Sequence, residues 1–125
     1  MAVLNQVSDF NHLRELLHSL YDADYYDYAY DWDKYPVIKS ELVNKLSHDV
    51  NVAVHFINSL DFNDNADAHI IKFFPTIMEN LGSFTNQLVF MDCINSIRKT
   101  YPNVNFGDIL FDMTLTLGAN LKNNQ

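Results

Sequence analysis

Apolar residues recur at steps of three and four along nearly the whole chain, the spacing of one helix face and not the alternation of a half-buried strand. Phe10, Leu13, Leu16, Leu17 and Leu20 form the first stripe, with Ser8 placed to cap it. Ile38, Leu42, Leu46, Val50, Ala53, Ile57 and Leu60 keep the spacing behind Pro36, a residue suited to a first helical turn. This predicts either one long helix or two divided near Ser47. Asn65 is placed to cap a run through Ile70, Phe74, Ile77, Met78 and Leu81 that stops at Gly82. Pro75 inside that run predicts a kink or two short helices. Phe90, Ile94, Ile97 and Tyr101 predict a helix over 84–100, ended around Pro102. Phe106, Ile109, Leu110, Met113 and Leu117 predict the last, capped by Asn105 and stopped at Gly118. The expected fold is all-α: a single domain over residues 1–125, a bundle of five to six helices, with 1–7 and 118–125 fraying. Three glycines and three prolines leave little material for the hairpins of a sandwich or barrel.

The formal charge of −8 is unevenly placed. Residues 21–67 hold ten acids against three lysines, whereas residues 68–125 hold four of each sign. An acid pole without a basic stripe repels phosphate, so no direct contact with nucleic acid or an anionic membrane is expected, and a basic protein is the natural complement. A single cysteine, Cys93, excludes an internal disulfide. The start "MAVLNQVSDF" lacks the basic and apolar regions of a signal peptide, which points to the cytoplasm. No apolar run approaches the ~18 residues of a spanning helix.

Motifs for chemistry fail on inspection. Asp61, Asn63 and Asn65 alternate like the opening of a calcium loop, yet Ala66 replaces the required glycine and Lys72 the closing glutamate. Glu15 and His18 have the spacing of a diiron ligand pair, but a chain with three glutamates cannot complete that site. His12, His48, His55 and His69 show no metal-like spacing. Cys93 shares a face with Phe90 and Ile97 and reads as a small hydrophobe. No phosphate loop or nucleophile elbow is present. Neither catalytic residues, metal nor cofactor are expected, although acids or histidines from different helices could still meet in space.

One segment resists a purely structural account. "DADYYDYAYDWDKYP", residues 22–36, holds five aspartates, five of the seven tyrosines and the only tryptophan. As a helix it places Tyr21, Tyr25, Tyr28 and Trp32 on one face; as an extended strand it places Tyr28, Tyr30 and Trp32 on one side and Asp27, Asp31 and Asp33 on the other. The plain alternative is a first helix that runs past Leu20, its rings on the bundle and its acids in water. Aspartate's low helix propensity and the off-stripe rings Tyr26, Tyr30 and Tyr35 weigh against it. Tyrosine and tryptophan supply large contact area with few rotors, and aspartates attract a basic partner and accept from its arginines. The predicted partner-binding residues are Asp22, Asp24, Tyr25, Tyr26, Asp27, Tyr28, Tyr30, Asp31, Trp32, Asp33 and Tyr35.

The stretch "DADYYDYAYD" resembles the immunity proteins that protect bacteria from nuclease toxins, of the nuclease-colicin or contact-dependent growth inhibition type. The resemblance covers about fifteen residues. It implies a helical inhibitor of a cognate basic toxin nuclease, an RNase in many such systems, with Tyr25 and Tyr26 as contact rings and Asp22, Asp24 and Asp27 as charge partners. The other reading of the same acids is a phage or plasmid mimic of nucleic acid that inhibits a restriction or CRISPR effector. A phosphate mimic favours an elongated row of acids, whereas this patch is compact and aromatic.

Overall fold

The computed structural model describes residues 2–25 and 33–123. Every regular element among them is helical, as the periodicity predicts. α1 (Ala2–Tyr25), α2 (Tyr35–His48), α3 (Val50–Asn58), α5 (Phe74–Leu81), α6 (Phe84–Thr100) and α7 (Ile109–Asn123) are six helices longer than one turn. Between α3 and α5 stand the single turn α4 (Asn65–Ala68) and a 3₁₀ turn, His69–Phe73.

α1 buries Leu13, Leu16, Leu17, Leu20 and Ala23, the predicted stripe continued by one residue. Its helical backbone begins at Ala2, ahead of the Ser8 start, in a stretch with no Pro or Gly to interrupt it. The 38–60 run is two helices. Asp49 divides them, one position beyond the end of α2 and not at Ser47, in an extended conformation (φ −144°, ψ 116°) from which its carboxylate accepts from the backbone N–H of Asn51 at 2.9 Å. Periodicity runs unbroken through the junction, so Leu42, Leu46, Ala53 and Ile57 all reach the core.

Asp64, and not Asn65, caps the next turn, accepting from Ala66 N–H at 2.9 Å. Pro75 lies in the first turn of α5, where its missing N–H breaks nothing, and the chain before it tightens to 3₁₀ geometry. α5 ends at Gly82 with φ 75°, and Ser83 caps α6 at once. The last helix starts at Ile109 instead of behind an Asn105 cap. Asn105 makes a local turn by accepting from Gly107 N–H at 2.8 Å, and this loop buries Phe106 against Phe62 and Phe74. α7 continues through Gly118 because Asn120 fastens it, donating to Gln87 Oε1 at 2.9 Å and to Gly82 O at 3.2 Å.

α1 packs on α2, α2 on α5, and α7 on α5 and α6. α1 and α2 run antiparallel: Tyr35 meets Asp24 beside their connection, and His12 meets Glu41 farther along. The connection is the acidic, ring-rich run. Among the described residues no helix is long and apolar enough to cross a membrane.

Candidate functional site

Asp24 is the residue around which the α1–α2 end is built. It stands in the last turn of α1, its main chain open to solvent but its side chain only 19% exposed. One carboxylate oxygen, Oδ2, accepts from His69 Nε2 at 2.6 Å, Lys72 Nζ at 2.9 Å and the Tyr35 hydroxyl at 3.1 Å. Three elements thus meet on a single atom: α1, the start of α2 and the 3₁₀ turn. Burial pushes the Asp24 carboxyl up, but the hydrogen bonds from Lys72 and His69 outweigh it and hold the group below the ordinary aspartate value. Lys72 is likewise penalised by burial and raised on balance by its bonds to Asp24 and Tyr35. Burial, the largest influence, raises Tyr35.

Beside this clamp runs a chain of rings. Tyr25 lies on Tyr21 with centroids 4.5 Å apart, Tyr21 meets the edge of His69 at 5.5 Å, and His69 meets Phe73 at 5.7 Å. Phe73 is buried and Tyr25 is 64% exposed, so the series leads from the core to the surface. The spacing of four between Tyr21 and Tyr25 puts them on one face because the backbone there is helical. Their outer side borders an open cleft of about 540 Å³, closed elsewhere by Asn63, Asn65, His69, Val104 and Asn105. Val37, 67% exposed, adds an apolar side chain in the first turn of α2.

Of the predicted binding residues, Asp22 and Asp33 are exposed, Tyr25 presents its ring, and Asp24 and Tyr35 are joined inside the clamp. Tyr35, off the helical stripe, packs half-buried on the core and donates to Asp24. Tyr26, Asp27, Tyr28, Tyr30, Asp31 and Trp32 lie outside the described residues. His69 and Lys72 are not among the predicted residues. Their signal in sequence is slight, two polar groups three apart in an otherwise apolar run.

A second carboxylate cluster lies farther back on α1. Asp67 is fully buried and accepts from Arg14 Nε and NH2 at 3.0 and 2.8 Å, His18 Nε2 at 2.6 Å and the backbone N–H of Asp61 at 3.0 Å. Burial alone would raise its pKa; the Arg14 bonds, then the Asp61 N–H and His18, lower it. His18 is therefore committed to Asp67, while Glu15 on the same helix is exposed. The calcium-like segment is taken up by local turns, with Asp61 accepting from Asn63 N–H at 2.9 Å. Among the described residues no group of three or more His, Cys, Asp or Glu side chains could hold a metal ion. Cys93 is buried, which pushes its thiol up to about 11 and disfavours the thiolate.

No protein-family model, curated protein or solved structure matches the chain.

Proposed function

We propose that this chain is an inhibitor of the immunity type, which binds a cognate basic nuclease toxin through the end of the α1–α2 pair and keeps its substrate out. The observation that carries the reading is the Tyr21–Tyr25 ring pair: a ring 64% exposed, held from behind by a series of rings ending in the core, at the edge of a run of five aspartates. A ring fixed before binding loses little rotamer freedom in the complex, the property of an anchor residue. Asp24 supports this by tying α1 to the start of α2 and to Lys72 at the ends of the acidic run, with Asp22 exposed where a partner's lysines and arginines would approach. Nuclease sites are basic because they hold phosphate, so an acidic and aromatic surface competes for the same ground. The binding residues of this reading are those of the run itself, from Asp22 to Tyr35, and the chain performs no chemistry.

The test is affinity capture from the native host with the tagged chain at low salt, followed by elution at high salt. A stoichiometric basic nuclease domain, inactive in the complex and active once separated, supports the proposal. A restriction or CRISPR effector in its place would mean a nucleic-acid mimic, and an affinity for the captured protein indifferent to every substitution from Asp22 to Tyr35 would remove the surface from consideration.

A further inference from the structure

α7 has two apolar faces, and the fold covers one of them. Met113 is buried and Ile109, Leu110 and Leu117 are half-buried where α7 packs on α5 and α6. At 3.6 residues per turn, Phe111, Leu115 and Ala119 recur every four positions on the opposite side. Phe111 is 65% exposed and Leu115 57%. A surface helix ordinarily carries polar residues there.

Gly118 shares this outward face. Beyond its own helix backbone, nothing among the described residues comes within 4 Å of where its Cβ would stand, so the packing described does not call for a glycine in a helix interior that disfavours one. What the missing side chain does provide is room for something outside to approach.

We propose that this face docks a second copy of the chain, α7 against α7, antiparallel about a twofold axis at Leu115. The charges select this occupant. Asp108 precedes the helix and Lys122 lies in its last turn, both exposed and seven positions either side of Leu115, a spacing that returns to the same helix face, and neither forms an ion pair within the described residues. In an antiparallel pair centred on Leu115, Asp108 stands opposite Lys122 of the second copy, Phe111 opposite Ala119, and Leu115 opposite itself. Each ion pair and each ring-to-small-residue contact then occurs twice, as an isologous interface requires. A parallel pair would instead set Asp108 against Asp108 and Lys122 against Lys122. One helix pair covers less than the roughly 1,600 Å² of a standard interface, so the dimer is weak, with a Kd on the order of 10 to 100 µM. The proposal does not rest on the inhibitor reading.

The experiment is sedimentation of the full chain from about 1 µM to about 1 mM, which brackets that affinity. The weight-average mass is expected to climb from 14.5 kDa toward twice that value. Leu115→Arg, an exposed change checked for folding by circular dichroism, is expected to hold it at the monomer. Asp108→Lys and Lys122→Asp should each weaken association about tenfold, and the double reversal should restore it. Monomer mass throughout overturns the proposal and leaves the face to a different protein. A dimer insensitive to Leu115→Arg, or charge reversals that do not rescue one another, overturns it equally.

Discussion

Two aspartates fasten α1 to the segment 61–72, and their surroundings give them different roles. Asp67 is fully buried, and both its oxygens are occupied by two side chains and a backbone N–H. Asp24 gathers three donors on one oxygen at the edge of the molecule, where Lys72 is about half exposed and Tyr25 more so. The chemistry is the same, and burial separates the two. A saturated, dry carboxylate makes removal of any partner costly and offers nothing to another molecule. A carboxylate at the rim, screened by water, contributes modestly to stability and serves mainly to position what stands around it.

The sharpest way to break this contrast is Asp67→Ala. It strands the Asp61 N–H and leaves Arg14 and His18 without their acceptor, and a loss of about 2 to 3 kcal/mol is expected, below the buried-pair maximum because Arg14 can turn to water. Urea unfolding measures it, and a loss under about 1 kcal/mol would put Asp67 on a level with Asp24. Next in size is Tyr25→Ala, expected to weaken partner binding by roughly 2 kcal/mol, about thirtyfold, with the urea midpoint nearly unmoved. A fall in stability of the same size would make Tyr25 a packing residue. Asp24→Ala follows, at about 1 kcal/mol of stability and with less effect on binding than Tyr25→Ala. A greater effect on binding would mean that Asp24 itself touches the partner.

The smallest effect is that of acid. Both carboxyls lie below the ordinary aspartate value of 3.8, so the unfolded chain binds more protons than the folded one in the window beneath it. Their contribution is intact at neutral pH and is lost as pH falls through the folded-state values. Stability against pH should therefore drop below about pH 4, and Asp67→Asn should flatten that limb more than Asp24→Asn does. The reverse order would contradict the burial argument.

Helices are legible wherever local spacing decides them. Leu13, Leu17 and Leu20, or Phe90, Ile94 and Ile97, announce their buried faces within a few turns of chain. Boundaries are less so, because neighbouring residues compete for the same cap. Ser47 and Asp49 are both good acceptors, and only the backbone conformation at Asp49 shows which one interrupts the run. Asn65 loses its cap to Asp64 in the same way. In the candidate site the Tyr21–Tyr25 face follows from a step of four. The role of Asp24 does not, since its partners lie 11, 45 and 48 residues away and no periodicity relates them.

Those separations also set an order of events during synthesis. α1 and α2 can pair as soon as both have left the ribosome, but the oxygen that organises their end waits for His69 and Lys72. At ~5–20 residues per second the 24 residues from His48 to Lys72 take about 1 to 5 s. A nascent chain that ends between Pro36 and Ile71 carries every aspartate and ring of the acidic run yet lacks the clamp, so a product truncated there would display the right residues without the Lys72 contact that fixes Asp24. On the proposed reading, binding competence arrives only once the middle of the chain has been made.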